Sequence, residues 1–374
     1  MFIPKASGGV RPLGLRECLY RLNARIVVRL KAPQIGMDFA RNQLAIGVPG
    51  GCEIGAQLAQ LQATLVLEST EDEIECGDDF IISCDDAKNC YNTIALGPAM
   101  VEMRSVAPDM MRGLHYLYGA PSTLIGVDGT KIGNAFVGAV QGCPLGTLIT
   151  AVGLRPLDRK VEEIIAEVEA EHPRLTPVRP GTEKCTTIRF SDDESMAGRS
   201  VVIRAVRERS ASAIAAAGLT LAFDKCEVFV ADSDRVQPGT YSERRVTSAG
   251  LRILGKYVGT EEYRRTMGEK KLADKKPDYR ALQKLPPRLA FQLLTACYNP
   301  RAMFLARIDG LLLQDGLKAF DNCIDDCLAR IIDCPPGGRE LLRTLRCISP
   351  KCGGLGVPAH AGMRVERARL CSAE

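Results

Sequence analysis

Two adjacent acids, Asp192 and Asp193, lie where the sequence predicts the tip of a β-hairpin. Residues 186–189 before them are rich in β-branched side chains, which favour a strand, and residues 194–198 are expected to form the returning strand. Adjacent carboxylates repel each other at a turn, so they call for a compensating cation, and oxygen ligands favour Mg²⁺. A solvated, aspartate-rich turn is the alternative, and a third carboxylate on a neighbouring strand would decide between the two.

A candidate for that third carboxylate follows the apolar segment 80–84, which is typical of a buried strand. This segment runs into Asp85 and Asp86, whose side chains point to opposite faces if the strand continues. Three carboxylates on adjacent strands can hold two divalent ions, which activate a 3′-hydroxyl and stabilise a leaving pyrophosphate. The three acids therefore predict nucleotidyl transfer.

Further segments accompany the acids in a fixed order along the chain. A glycine-rich turn at 138–146 opens a long helix, and after the paired acids come Gly218, then Lys225 within 224–227, then Gly255 at the end of 253–255. In this order the segments resemble the palm of a reverse transcriptase, most closely the enzymes of non-LTR (LINE-type) retrotransposons. Single motifs of this kind are weak, but an ordered set is specific. The resemblance covers roughly residues 3–360.

The resemblance implies an α+β chain with the right-hand polymerase fold. Its expected parts are N-terminally truncated fingers (1–68), a palm with an antiparallel sheet and the catalytic motifs (69–260), a charged linker (261–284), and a helical thumb with a C-terminal segment (285–374). The implied activity is RNA-directed DNA synthesis with two Mg²⁺ ions, for which Mn²⁺ can substitute. The implied partners are an RNA template, a DNA primer and deoxynucleoside triphosphates, with no membrane.

The resemblance also assigns roles to individual residues. Asp86, rather than Asp85, is the expected metal ligand because Tyr91 then falls at the fifth position after it, as in the family. Asp192 and Asp193 complete the metal site, and Lys225 is the expected proton donor to pyrophosphate. The expected nucleotide-binding residues are Lys5, Arg11, Ala87, Tyr91, Gln141 and Gly142. The alternatives are surface cations for the basic residues and a core aromatic for Tyr91.

A basic stripe accompanies the first predicted helix, residues 15–31. Arg21, Arg25 and Arg29 recur every four residues and suit either a solvated face or phosphate binding. Beside them runs an apolar stripe that is expected to anchor the helix, formed by Leu15, Leu19, Leu22, Ile26 and Leu30. Gly255 is the second expected nucleic-acid contact, at the turn that grips the primer in the resembled family.

Hydrophobic periodicity and turn residues predict the remaining elements. We expect a helix at 54–67, a loop at 68–79, helices interrupted at Pro108 within 98–118, and a hairpin at 122–133 that turns at Asp128. The later expectations are a helix from Pro144 that kinks at Pro156, a helix at 201–217, an insertion loop at 231–248, and thumb helices at 285–298, 300–313, 316–332 and 338–345.

Composition narrows the possible functions. The chain has 374 residues, 46% of them hydrophobic and 25% charged, which indicates a globular protein with more than one subdomain. Only three histidines are present, which argues against Ser-His or Cys-His hydrolysis. The 15 cysteines show no C-x-x-C pattern, and Cys323, Cys327 and Cys334 suit a core better than a zinc site. No apolar run is long enough to span a bilayer.

Alternative functions remain open within this fold and outside it. A group II intron or retron-type reverse transcriptase would carry the same motifs, whereas Tyr91 argues against an RNA polymerase, which needs room for the 2′-hydroxyl. A non-catalytic retroelement relic that only binds RNA and DNA is the alternative outside enzymes. Retrotransposon proteins also carry an endonuclease and nucleic-acid-binding fingers, whose motifs we do not find, so we expect a polymerase fragment or a truncated copy. The expected location is intracellular, with the nucleus as one candidate compartment.

Overall fold

The computed structural model describes residues 2–4, 10–12, 17–37, 39, 43–126, 128–135 and 137–361. The chain divides into two compact units, the first covering Met1–Leu254 and the second Gly255–Glu374. Among the described residues no helix has the length and apolar character that a membrane crossing requires.

The first unit contains ten helices among its described residues. They are α1 (Cys18–Met37), α2 (Gly51–Leu67), α3 (Glu71–Cys76), α4 (Cys90–Thr93), α5 (Leu96–Val106), α6 (Met111–Tyr118), α7 (Pro144–Gly153), α8 (Arg155–Glu171), α9 (Ser200–Arg209) and α10 (Ala211–Ala216). The expected break near Pro108 is present as a 3₁₀ turn between α5 and α6. Pro156 lies in the first turn of α8, where its missing amide hydrogen costs nothing.

The described part of the first unit also contains ten strands. They are β1 (Phe2–Pro4), β2 (Val10–Pro12), β3 (Phe80–Asp85), β4 (Ser122–Ile125), β5 (Lys131–Ala135), β6 (Thr186–Phe190), β7 (Asp193–Arg199), β8 (Glu227–Phe229), β9 (Arg245–Thr247) and β10 (Gly250–Ile253). β1 pairs with β2 and β4 with β5, both antiparallel, and the second pair confirms the hairpin expected at 122–133.

The central sheet of the first unit has five strands in the order β6-β7-β3-β8-β9. Its pairs are antiparallel except for β8 and β9, which run parallel. β3 lies in the middle, and its first five residues are apolar or small, which suits a strand with neighbours on both sides. The sheet therefore brings the end of β3 next to the start of β7.

Two apolar cores support this unit. One surrounds the sheet and includes Ile81, Met196 and Val228 with the buried faces of α8 and α9. The other joins α1, α5 and α7 through residues such as Met103, Leu148 and Ile149. Both cores contain fully buried side chains, which fixes the elements that carry the acids.

The second unit is helical, apart from the short strand β11 (Lys256–Gly259). Its helices are α11 (Glu261–Asp274), α12 (Tyr279–Leu282), α13 (Pro287–Leu293), α14 (Met303–Asp309), α15 (Gln314–Ile331) and α16 (Arg339–Cys347). A π-helical turn, Leu294–Tyr298, follows α13. Leu317, Phe320 and Leu328 of α15 are fully buried in the core of this unit, which also contains Cys327.

The structure differs from three of the local expectations. The expected loop at 68–79 contains α3, which begins with a reciprocal capping pair between Thr70 and Glu73. The expected insertion loop at 231–248 contains β9, which pairs with β8. The expected linker at 261–284 forms α11 and α12, and its Leu272 and Leu282 lie in the core of the second unit.

The anchoring face of α1 is also different from the prediction. Leu19, Leu22 and Leu30 are 68%, 56% and 72% exposed, and Ile26 is 48% exposed. The helix instead buries Ala24 and Ile35, with Tyr20, Val28 and Ala32 packed beside them. Both sets have helical spacing, so periodicity alone did not distinguish them. Leu15 lies outside the described residues.

Candidate active site

Two strand ends of the central sheet bring the predicted acids together. Asp86 directly follows β3, Asp193 begins β7, and Asp192 lies in the turn between β6 and β7. The register pairs Asp85 with Glu194, so the next position along the antiparallel ladder places Asp86 beside Asp193. Side chains at opposed positions of antiparallel strands share one face of the sheet. The fold thus gathers all three acids at one edge.

The turn that carries Asp192 is held by contacts from distant parts of the chain. Ser191 has a φ of 61°, an unusual value for a residue other than glycine, and its side chain is buried. Its amide donates to Oε1 of Gln43 at 3.0 Å, and its hydroxyl lies 2.8 Å from the hydroxyl of Tyr91. The turn conformation is therefore fixed from both sides.

Cys90 begins α4, four residues after Asp86, and its thiol is buried. Burial raises the pKa of Cys90 to about 12, and the negative charges of Asp192, Asp193 and Asp86 all act in the same direction. The positive charge of Arg189 opposes this rise in the pKa of Cys90. A thiol of this kind stays protonated at neutral pH and is not a nucleophile.

We tested whether these residues suit divalent metal ions. Their oxygen atoms are the ligands that Mg²⁺ prefers, and the strand register brings their backbones together. In the part of the chain that the structure describes, however, no group of three or more His, Cys, Asp or Glu side chains lies close enough to hold an ion. Asp86 is instead paired with Lys225, whose Nζ lies 3.1 Å from Oδ2. The strand register and the ligand type thus suit divalent ions, whereas the side chains as placed do not form a metal site and Asp86 is neutralised by Lys225.

Asp85 has a different environment from Asp86. Its carboxylate is buried and accepts two hydrogen bonds from Arg244, at 2.8 and 2.9 Å, while Arg207 lies 3.3 Å away. Burial acts to raise the pKa of Asp85, but Arg207 and Arg244 outweigh it and hold that pKa below the ordinary value. Asp85 is therefore a charged structural residue, whereas the side chain of Asp86 is 39% exposed on the opposite face.

The residues expected to contact the nucleotide surround the same edge. The hydroxyl of Tyr91 contacts Ser191 and also lies 3.3 Å from Oγ1 of Thr147. Ala87 forms a bridge with Leu221, in which the amide of Lys88 donates to the carbonyl of Thr220. The amide of Lys88 is therefore occupied by this bridge and is not available to phosphate oxygens.

A close backbone approach brings the glycine-rich turn to Tyr91. Gly138 has a φ of 78°, and a Cβ at this position would lie 2.3 Å from the backbone carbon of Asn92. The next amide, that of Ala139, donates to the carbonyl of Tyr91. Gln141 and Gly142 follow in the turn before α7, half-buried and exposed respectively. Only glycine permits this approach at position 138.

The remaining predicted residues lie on other elements or outside the described residues. Arg21, Arg25 and Arg29 are on α1, where Arg25 and Arg29 are exposed and Arg21 is half-buried. Lys5 lies outside the described residues, as does the side chain of Arg11, whose backbone belongs to β2. Gly255 belongs to the second unit, has a φ of 83°, and accepts a hydrogen bond from Lys271 at 2.9 Å.

Several residues at the site had no identifiable signal in the sequence. Gln43 reaches the turn at Ser191 and Thr147 reaches the hydroxyl of Tyr91 only through long-range contacts. Arg207 reaches Asp85 from α9. Ser191 adjoins the acids, but its contact with Tyr91 depends on the packing of β6 against the segment after β3. Neither periodicity nor motif spacing could identify these contacts.

Comparison with solved structures finds telomerases from two yeasts. The chain aligns with telomerase from Candida albicans in complex with a TWJ fragment of telomeric RNA at 11% identity and a TM-score of 0.43, covering 85% of this chain and 54% of that one. Apo telomerase from Candida tropicalis aligns at 10% identity and a TM-score of 0.46, covering 84% and 50%. The chain thus spans just over half the length of these telomerase chains. No curated protein sequence matches the chain significantly.

The sequence profile described as reverse transcriptase (RNA-dependent DNA polymerase) matches residues 3–258, well over half of the chain. The match includes the acidic strand ends, the turn at Ser191 and the glycine-rich turn. The mixed arrangement of a central sheet and surrounding helices is the right-hand polymerase fold. The chain belongs to the reverse transcriptase family.

Proposed function

We propose that this protein is an RNA-directed DNA polymerase that adds deoxynucleotides to the 3′-hydroxyl of a primer on an RNA template. The observation that carries the proposal is the register of β3 and β7, which places Asp86 beside Asp193 with Asp192 in the adjoining turn. The order of the other motifs supports a non-LTR retrotransposon protein as its source.

Asp86, Asp192 and Asp193 are the residues that would hold two divalent ions, Mg²⁺ or Mn²⁺. When bound, such ions lower the pKa of the attacking hydroxyl and neutralise charge on the leaving pyrophosphate. The protein fixes the two strand ends through the sheet and fixes the turn through Gln43 and Tyr91. It thereby fixes the backbone positions of the three acids before any substrate arrives.

Tyr91 is positioned to select the sugar of the incoming nucleotide. Burial raises the pKa of its phenol, against the hydrogen bonds from Ser191 and Thr147, so the ring is neutral and held in place. A ring that is fixed beneath the sugar would collide with a 2′-hydroxyl and admit deoxynucleotides. Its attachment to Ser191 links sugar selection to the turn that carries Asp192.

Lys225 is positioned to act on the triphosphate. Its ammonium group lies 3.1 Å from Asp86, and its side chain is 43% exposed, so it can move towards a phosphate without leaving a buried charge unpaired. A proton donated from Lys225 to the leaving pyrophosphate would favour bond cleavage.

Primer extension on an RNA template tests this function directly. We expect the full chain to extend a DNA primer with deoxynucleotides in the presence of Mg²⁺, and to stop when the metal is chelated. Binding of an RNA–DNA hybrid without extension under either Mg²⁺ or Mn²⁺ would instead support a non-catalytic relic.

A further inference from the structure

A second pair of acids lies directly behind the proposed metal ligands. Asp85 precedes Asp86, Glu194 follows Asp193, and the register pairs Asp85 with Glu194. Strand alternation directs this second pair to the opposite face of the sheet. Both side chains are buried, at 5% and 10% exposure, so their charges must be compensated within the protein.

Arg207 of α9 contacts both acids with one guanidinium group. Its Nη1 forms an ion pair with Glu194 and lies 3.3 Å from Oδ2 of Asp85. Its Nη2 donates to the carbonyl of Ser83 at 3.0 Å, and its Nε lies 3.3 Å from the hydroxyl of that residue. A planar guanidinium presents several donors in fixed directions, so it can connect two strands at once.

Two other arginines complete the charge balance around these acids. Arg244 makes a bidentate contact with Asp85, and Arg189 pairs with Glu194 and also with Asp158, at 2.5 Å. Each of these two arginines contacts only one member of the Asp85–Glu194 pair. Among the described contacts, Arg207 alone reaches both members, and so joins the end of β3 to the start of β7 by a side-chain contact.

We propose that Arg207 is a positioning residue that sets the spacing between Asp86 and Asp193. The inference rests on the proposed function, because the spacing matters only if the two acids act together. The guanidinium holds Asp85 and Glu194 at a fixed distance. Asp86 and Asp193 are the next residues along the two strands, so the backbone fixes their spacing as well. Partners that orient metal ligands from behind typically change metal affinity or activity about 10–100-fold when they are altered.

The decisive variant is Arg207→Lys, which keeps the charge but loses the planar group that reaches both carboxylates. Its matched control is Arg199→Lys. Arg199 lies at the other end of β7, is also 8% exposed, and pairs with Asp78 at 2.9 Å. Both variants weaken a buried arginine–carboxylate pair on the same sheet, but only one of these pairs lies beside the acids.

We expect Arg207→Lys to lower kcat for primer extension by roughly tenfold or more, with the KM for deoxynucleotide changed less than about threefold. We expect it to weaken Mn²⁺ binding, measured by electron paramagnetic resonance without substrate, by about tenfold. Arg199→Lys should change neither quantity appreciably, although both variants should lower the melting temperature. Equal effects of the two variants on kcat and on Mn²⁺ binding would overturn the proposal.

The Mn²⁺ measurement keeps this inference separate from the proposed function. If the unaltered protein binds Mn²⁺ but does not extend primers, the polymerase proposal fails. The effect of Arg207→Lys on Mn²⁺ affinity, compared with that of Arg199→Lys, still decides the role of Arg207. If Arg207→Lys does not fold, Ser83→Ala removes one contact of Arg207 without altering charge. That variant should shift kcat and Mn²⁺ binding in the same direction by a smaller factor, and unchanged values would overturn the role of Arg207.

Discussion

The hydroxyl of Tyr91 lies 2.8 Å from the hydroxyl of Ser191, the residue that precedes the paired acids. The two residues are separated by 100 positions in the sequence and meet only in the folded chain. The contact links the aromatic residue after β3 to the turn between β6 and β7. It gives Tyr91 a fixed orientation that an ordinary core aromatic would not need.

Replacing Tyr91 tests its role in sugar selection. We expect Tyr91→Val to raise ribonucleotide incorporation relative to deoxynucleotide incorporation, because the smaller side chain leaves room for a 2′-hydroxyl. Tyr91→Phe is the control, since it keeps the ring and removes only the contact with Ser191. Single-nucleotide insertion assays measure both ratios. If Tyr91→Val leaves the ratio of ribonucleotide to deoxynucleotide incorporation unchanged, Tyr91 is a core residue and does not select the sugar.

Replacing Asp192 tests the acidic site. We expect Asp192→Asn to abolish primer extension while leaving the melting temperature and hybrid binding nearly unchanged, because it removes a metal ligand and not a core contact. Asp128→Asn is a matched control in another hairpin turn, where the carboxylate accepts a hydrogen bond from the amide of Thr130 at 3.1 Å. Extension by Asp192→Asn at the rate of the unaltered protein would contradict the assignment.

The arginines of α1 can be tested through the salt dependence of binding. Converting Arg21, Arg25 and Arg29 to Gln should flatten the slope of log affinity against log salt by about two to three units, because each phosphate contact releases counterions. The helix should remain folded, since the substitutions leave its packing residues Ala24, Val28 and Ile35 in place. The control is the double variant in which Arg104 and Arg112, which are exposed on α5 and α6, are also converted to Gln. It should keep the salt slope of the unaltered protein. If the triple variant has the same salt slope as the unaltered protein, these arginines face solvent and do not contact phosphate.

Arg346 should contribute strongly to the stability of the second unit. Its guanidinium is 1% exposed and contacts the carboxylates of Asp321 and Asp325 at 3.1 and 2.5 Å. Arg346→Met removes the buried partner of both carboxylates and should lower the free energy of unfolding by about 3–5 kcal/mol. Arg343→Met removes a second partner of Asp325, an arginine that is 61% exposed, and should cost less than about 1 kcal/mol. Denaturant unfolding measures the loss of unfolding free energy in each variant. Similar losses in the two variants would contradict this prediction.

His360 should make stability depend on pH. Burial lowers the pKa of its imidazole below 6.5, with Asp321 opposing this shift and Arg346 adding to it. The unfolded chain then binds the proton more readily, so the contribution is present above pH 6.5 and is lost as pH falls through the lower pKa of the folded state. We expect the urea midpoint of the unaltered protein to fall more steeply below pH 6.5 than that of His360→Gln. If the urea midpoints of the two proteins change with pH in the same way, the lowered pKa of His360 is contradicted.

Much of the fold follows from local features of the sequence. The strand before Asp86, the hairpin around Asp192 and the break at Pro108 were predicted because each depends on residues that are adjacent in the chain. Helix α3 was missed although its capping pair, Thr70 and Glu73, is visible in the sequence. The acidic composition of 68–79 favours a loop, but the reciprocal capping pair favours a helix and prevails.

The sequence by itself determined that three acids occur in the order and spacing of a reverse transcriptase, since motif order is a property of the chain. Only the tertiary structure decided which face of α1 is buried, because two sets of residues on that helix have equal periodicity. Only the tertiary structure also brought Gln43, Tyr91 and Arg207 to the strand ends. Those contacts depend on the pairing of β3 with β7 and on the packing of α9, and non-local packing of this kind leaves no periodic signal in the sequence.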